Sequence, residues 1–285
     1  MTQQNFSDIA TELWENGWAM FPIEQARVEQ VKASFPDFVA RRVRLDDVDQ
    51  WHVQLSGESE ADVGLVVRNG GNHDRKWFFH SNPALNAAIK LDKIKPQPDD
   101  YRFLVLHDSL RSYAAGLGAQ IMDALDELYG LGAAASYRAC LQQTMPYSTA
   151  TLRSLYYPSG VEQTGAKVHV DRSLLTIHFG DEGGQLLACK GPGDTVHQAV
   201  SPPPGFALVF FGVKILWVSR GEKQPLWHLS TTQSGQDRLA HVHFGHVDIL
   251  DYLVPDAKNA YCDFFARFQE IVQEPEYEWR PSLVA

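Results

Sequence analysis

Between about Arg138 and Asp248 the chain breaks into short apolar runs: Leu152 to Tyr157, Leu174 to Phe179, Phe206 to Phe211 and Arg238 to Val247. Turn signals separate them: Tyr157-Pro158-Ser159-Gly160, Asp181-Glu182-Gly183-Gly184, Gly191-Pro192-Gly193-Asp194, Pro202-Pro203-Pro204-Gly205 and Ser234-Gly235. Many short strands at such spacing build a β-sandwich or barrel.

The flanks read as helix. Ser7 can cap a helix carrying Ile9, Leu13 and Trp14, with Gly17 as its stop. A strand-like run follows from Trp18 to Ile23, then a second helix holding Val28, Val31 and Phe35. Residues 40–105 are mixed, with a turn at Asn69-Gly70-Gly71-Asn72. A long helix is expected from near Asp108, on the stripe Leu110, Tyr113, Leu117, Ile121, Leu125 and Leu128, ended by Gly130 and Gly132. Ala260, Phe264, Phe268 and Val272 recur every four residues and predict a closing helix. The expectation is one domain over 1–285: a mainly helical part over 1–135, a β-core over 136–250 and a C-terminal helix over 251–285. The core needs the flanking helices to cover its outer face.

A chain of 285 residues, 44% apolar, can bury a large core as one β-rich unit. Its net charge is −10, and no run of Lys or Arg is dense enough to follow a phosphate backbone, which argues against nucleic acid as partner. Cys140, Cys189 and Cys262 are scattered, so they form neither a disulfide framework nor a CxxC site. Met1 to Asp8 is polar, without an apolar signal core, and no apolar stretch is long enough to span a bilayer. These features predict a soluble, cytoplasmic protein with reduced thiols.

Residues 167–171 read Lys-Val-His-Val-Asp. On a strand, residues two apart share a face, so His169 and Asp171 can address one metal. His228 is the candidate third ligand. Two imidazoles and one carboxylate on one face leave coordination positions open, the arrangement of non-haem Fe(II) sites that activate oxygen. His-x-Asp alone is weak in a chain with 11 histidines, and His228 alone could be a half-buried core residue. Arg238, ten residues after His228 at the start of a strand, strengthens the case. It shares a face with Ala240, Val242 and Phe244, while His241 and His243 face the other way. An arginine pointing into an apolar barrel is costly unless an anion meets it, and a dicarboxylate would supply one with bidentate geometry. His241 and His243 compete with His228 only if the register is shifted.

The segment His169-Val170-Asp171-Arg172-Ser173-Leu174-Leu175-Thr176 resembles the His-x-Asp-x-Ser-x-Leu-Thr strand of the isopenicillin-N-synthase-like family of 2-oxoglutarate/Fe(II) oxygenases. Leu155-Tyr156-Tyr157-Pro158 is similar to its Asn-Tyr-Tyr-Pro strand. Pro204 to Val209 with Gly212 resembles the strand and turn before its last ligand, and His228 with Arg238 has its spacing. Leu13 to Phe21 resembles its helix leading into a Trp-Gly-Phe-Phe strand, and Asp74 to Phe79 echoes its Lys-Glu-Phe-Phe segment. The resemblance covers most of the chain; it is specific over 152–245 and loose before 135.

The resemblance implies a double-stranded β-helix (jelly-roll) core wrapped by helices. It also implies Fe(2+) held by His169, Asp171 and His228, with 2-oxoglutarate chelating the metal and its far carboxylate on Arg238. O2 would take the remaining position, and decarboxylation to succinate would accompany hydroxylation, desaturation or cyclisation of a small-molecule substrate. Two departures bear on the cosubstrate. The family's Arg-x-Ser becomes Arg238-Leu239-Ala240, losing a donor, and its Asn before Tyr-Tyr-Pro becomes Leu155. Tyr157 and Arg153 remain as further polar partners. Asp171 argues against halogenation, because related halogenases lack the carboxylate.

Other features carry plainer readings. His246-Val247-Asp248 reads as a surface or turn pair, His178 as a packed residue, and Gly183-Gly184 as a turn rather than a phosphate loop. Arg111, Arg172 and Lys214 read as solvated charges before substrate partners. Three alternatives compete: an Fe(II) oxidase of this fold that uses no 2-oxoglutarate, a jelly-roll binding module with structural histidines, and a cupin-like metal-dependent isomerase or hydrolase.

Overall fold

The computed structural model describes residues 5–53, 63–70, 74–142, 150–159, 166–191, 194–233 and 235–248. The helix expected on Ala260 to Val272 and the second half of the turn expected at Asn69–Asn72 lie outside these residues.

Helix α1 (Phe6–Asn16) starts one residue ahead of Ser7, so the cap is Asn5, whose side chain accepts from the Ser7 N–H. Gly17, with φ of 81°, closes it as expected. Strand β1 (Trp18–Pro22) and helix α2 (Gln25–Leu45) follow, with Val28, Val31 and Phe35 buried on one α2 stripe. The mixed region resolves into strands: β2 (His52–Val53), β3 (Val63–Gly70) and β4 (Asp74–Ser81), then helix α3 (Pro83–Lys90). The long helix α4 (Tyr101–Tyr129) begins earlier than its leucine stripe suggests, because Phe103 and His107 extend the buried face back by two turns. Helix α5 (Ala134–Cys140) leads into β5 (Thr151–Tyr157), β6 (Leu175–Glu182), β7 (Gly184–Cys189), β8 (Gln198–Ala199) and β9 (Phe206–Phe211). A short helix α6 (Ile215–Val218) precedes β10 (Trp227–Thr232) and β11 (Arg238–Gly245).

All strand pairs among the described residues are antiparallel. They form an eight-stranded sheet in the order β1-β9-β6-β11-β5-β4-β3-β2 and a three-stranded sheet in the order β10-β7-β8. The chain is thus mostly antiparallel β with flanking helices around a jelly-roll core. The first 135 residues are mainly helical by residue, yet they add β1 to β4 to the large sheet.

The two faces of the large sheet bury different things. The outer face carries Ala19, Phe21, Phe79, Ile177, Phe179, Val209 and Phe211 against α1, α2 and α4. The inner face meets the small sheet, where Leu208 and Phe210 of β9 pack on Leu186 and Ala188 of β7. Strand β9 is covered on both sides, which is why its sequence is apolar without alternation. The candidate site lies between the sheets.

Candidate metal centre

His169, Asp171 and His228 come together. Their ligand-capable atoms lie within 4.8 Å of one another. His169 Nε2 is 3.6 Å and His228 Nε2 3.9 Å from Asp171 Oδ1. The reason differs from the expected strand geometry. His169 makes an isolated antiparallel bridge with His228, each amide donating to the other's carbonyl at 2.9 Å. Residues 170–174 are irregular, and the chain enters β6 only at Leu175. The bridge, rather than strand alternation, sets the two imidazoles beside each other, with ring centroids 4.3 Å apart.

Each ligand atom is oriented by a bond on the far side of its own group. His169 Nδ1 is 2.7 Å from the Lys167 carbonyl and His228 Nδ1 is 3.1 Å from the Leu226 carbonyl. A carbonyl only accepts, so Nδ1 carries the proton and each Nε2 offers a lone pair. The Thr176 hydroxyl donates to Asp171 Oδ2 at 2.7 Å, leaving Oδ1 toward the histidines. Thr176 has one hydroxyl proton, so in its 2.8 Å contact with Ser173 the serine is the donor. The His-x-Asp-x-Ser-x-Leu-Thr pattern is therefore a relay that turns the carboxylate.

The loop is buttressed from behind by the turn after β9. Gly212 N–H donates to Leu174, Val213 N–H to the Asp171 carbonyl at 2.7 Å, and Lys214 N–H to Ser173. A Cβ at Gly212 would stand 2.3 Å from the Ser173 carbonyl oxygen and 2.9 Å from that of Asp171, so only glycine permits this approach. Asp171 and His228 are buried, whereas the His169 side chain is 32% exposed and opens the cluster to solvent. Burial and the adjacent His228 imidazole hold the His169 pKa down to about 4, against an opposing pull from Asp171. The neutral imidazole that a metal needs is the resting form.

Arg238 is buried on the inner face of β11, opposite Tyr157 of β5 in register and 4.9 Å from its ring centroid. Its counter-charge is Asp181, which no motif in the sequence singles out. Arg238 Nε donates to Asp181 Oδ1 at 2.7 Å, and the two side chains are 2% and 1% exposed. Burial works against the Arg238 charge, but Asp181 and Tyr157 more than offset it and hold its pKa above the ordinary value. The anion that meets the buried Arg238 is thus, in this structure, a side chain of the protein itself. His178, packed as expected, points inward with Nε2 3.8 Å from Asp181 Oδ2. Tyr157 also faces the Lys76 ammonium, 5.4 Å from the ring centroid.

Arg153 shares the inner face but not the Arg238 neighbourhood. It sits opposite Val242, two inward positions along β5 from Tyr157. Its Nε donates to His80 Nε2 at 2.6 Å, and its guanidinium lies 5.4 Å and 4.9 Å from the Phe78 and Phe244 ring centroids.

His241 and His243 face the helices, as expected. Four buried groups form a chain there: Ser81 Oγ to His107 Nδ1 at 2.9 Å, His107 Nε2 to Ser154 Oγ at 2.8 Å, and Ser154 Oγ to His241 Nδ1 at 2.7 Å. His246 is 8% exposed rather than a surface residue, and the Lys214 ammonium, expected in solvent, is buried and donates to the Val247 carbonyl at 2.9 Å. Among the described residues no helix is long and apolar enough to cross a membrane.

No protein-family model and no curated protein matches the chain. Solved structures do. A full-length Neurospora crassa protein, crystallised in complex with alpha-KG, superposes with a TM-score of 0.60 at 15% identity, over 85% of this chain and 79% of that one. The dioxygenase for auxin oxidation 1 from Arabidopsis thaliana, as a 2-oxoglutarate complex, gives 0.65 at 17% identity over 87% and 91%. JOX2, in complex with 2OG, Fe and JA, gives 0.65 at 18% identity over 85% and 71%. At these identities the likeness establishes architecture: the chain has the jelly-roll fold seen in these 2-oxoglutarate-binding proteins.

Proposed function

We propose that the chain is a non-haem Fe(II) oxygenase that uses a 2-oxo acid cosubstrate and oxidises a small molecule. The observation that carries this reading is the convergence of His169 Nε2, His228 Nε2 and Asp171 Oδ1, with every other donor atom of the three side chains already engaged. Two nitrogens and one oxygen on one side suit Fe(II) and leave positions for a chelating 2-oxo acid and O2. Bound there, the metal would supply oxygen activation, coupled to decarboxylation of the 2-oxo acid. The residues turn both Nε2 atoms toward the metal position, fix the carboxylate through Thr176 and Ser173, and keep one side open at His169.

The resemblance and the likeness to the Neurospora crassa protein and the auxin dioxygenase favour 2-oxoglutarate as the cosubstrate. Arg238 and Tyr157 are the side chains that would receive its far end; the position of Arg153 suits the prime substrate better. The reading predicts that Fe(II) added under anaerobic conditions, followed by saturating 2-oxoglutarate, produces a weak visible charge-transfer band. With substrate and air, succinate should form. A protein that binds one Fe(II) yet gives no band with any 2-oxo acid would refute it.

A further inference from the structure

The far end of the pocket draws on more strands than the core motif uses. Strand β6 carries a bulge where Gly180 and Asp181 together oppose Ala240 of β11: Leu239 pairs with Glu182, and His241 with Phe179. Gly180 has φ of 67°, the left-handed conformation such a bulge uses. The extra residue turns Asp181 into the lumen, where it accepts from Arg238 Nε, while Glu182 turns out to meet Lys32 at 2.7 Å. The other Asp181 oxygen lies toward His178 Nε2, 3.8 Å away on its own strand. Arg238 Nη1 takes no part in the bond to Asp181 and is buried without a hydrogen-bond partner. Buried donors are rarely left so, and this one marks a place for an acceptor.

A second cation approaches from β4. The register pairs Phe78 with Leu155, so Lys76 comes opposite Tyr157 on one side as Arg238 does on the other. Phe79 packs among the helices, and alternation from it turns Lys76 to the inner face. Lys76 is buried, with its ammonium 5.4 Å and the Arg238 guanidinium 4.9 Å from the Tyr157 ring centroid. Two cations therefore bracket one ring. After burial and the His228 imidazole, the Lys76 charge is a further cause of the lowered His169 pKa, which puts the ammonium on the lumen side, within the field of the metal centre. The inward residues beside this row, Leu155 and Ala240, carry no side-chain donor. An ammonium has three donors on a flexible stem, and a carboxylate has more acceptor sites than Arg238 Nη1 can fill.

We infer that Lys76 is a cosubstrate-binding residue: its ammonium and Arg238, on the two strands that flank Tyr157, together receive the far carboxylate of 2-oxoglutarate. The inference rests on the Fe(II)/2-oxo-acid reading above and adds to that site a residue from the first half of the chain. Asp181 steadies the guanidinium, Tyr157 spaces the two cations, and the carboxylate bridges them. A charge-assisted hydrogen bond of this kind is worth about 10- to 150-fold in affinity.

The test replaces Lys76 by methionine, which keeps an unbranched stem without the charge, and titrates the Fe(II)-loaded protein anaerobically by its charge-transfer band. Two acids are compared: 2-oxoglutarate, and 2-oxopentanoate, which has the same chelating end and chain length but ends in a methyl group. Lys76→Met should weaken 2-oxoglutarate about 10- to 150-fold and leave the affinities for 2-oxopentanoate and Fe(II) within about twofold of wild type. Lys76→Gln, which keeps a polar end, guards against misfolding of the first variant and should show the same selective loss. An unchanged 2-oxoglutarate affinity, or an equal loss for both acids, overturns the inference while leaving the oxygenase reading intact, because Lys76 would then serve packing or the metal end. A wild-type protein that binds Fe(II) but gives no band with either acid overturns the oxygenase reading and this inference with it.

Discussion

Replacing Thr176 by valine removes one hydroxyl and little volume. That hydroxyl donates to Asp171 Oδ2 at 2.7 Å, in a buried setting. A hydrogen bond to a charged group contributes about 1.5–3 kcal/mol. At about 1.4 kcal/mol per decade, its loss should weaken metal binding about 10- to 150-fold. Losses of about 10- to 100-fold are typical when a group supporting a metal ligand is removed, so two routes agree on the scale. Ser173 would lose its acceptor at the same time, adding to the cost rather than relieving it. The assay is anaerobic Fe(II) titration of wild type and Thr176→Val, with circular dichroism to show that both are folded. A folded Thr176→Val protein with unchanged iron affinity would mean that Asp171 is held by something else, and the relay from Ser173 through Thr176 would be wrong.

Three further outcomes are expected. Replacement of His169, Asp171 or His228 by alanine should abolish stoichiometric Fe(II) binding, whereas His243→Ala should leave it; the reverse would move the centre to the helix-facing side of β11. Gly212→Ala should lower the melting temperature and the iron affinity together, at a cost above about 1 kcal/mol, because its Cβ would sit 2.3 Å from the Ser173 carbonyl oxygen; a neutral effect in differential scanning fluorimetry would contradict the close approach. Stability should fall in acid. Burial holds His241 and His243 down to about 3, and His107 and His246 well below their ordinary value, so all four stay neutral when folded and become charged when unfolded below the ordinary value of 6.5. Their contribution is complete above about pH 6.5 and is lost as pH falls below it, in the case of His241 and His243 on descent toward about pH 3. Urea midpoints that match at about pH 7.5 and about pH 5.5 would refute the neutral, buried state.

Much of the centre can be read from the sequence because its residues recur as types at fixed spacing. His169, Asp171, His228 and Arg238 are found that way, and Gly212 falls in the turn that supports them. What hides is what depends on local departures from regular geometry. Asp181 reads as part of a turn, and period-two counting from His178 places residue 180 inward; one extra residue at the bulge reverses every later side chain. The pairing of His169 with His228 also escapes, since a one-pair bridge leaves no apolar pattern. Strands β2 to β4 blur because their sequences, Val63 to Gly70 and Asp74 to Ser81 above all, lack strong alternation. His246 misleads for the opposite reason: a polar pair after a strand looks solvated, yet the His246 imidazole is buried and close enough to Lys214 to feel its charge.

The reciprocal amide bonds between His169 and His228 have a thermodynamic corollary. Because the backbone already clasps these two positions together, an arriving ion finds them assembled and spends little of its affinity on ordering chain. Nearly all of its binding free energy is then available to oppose denaturation. At a free concentration about one hundred times the dissociation constant this amounts to about 2.7 kcal/mol of added resistance. Chelators should therefore soften the molecule without melting it, in contrast to small zinc modules that come apart when their ion is removed.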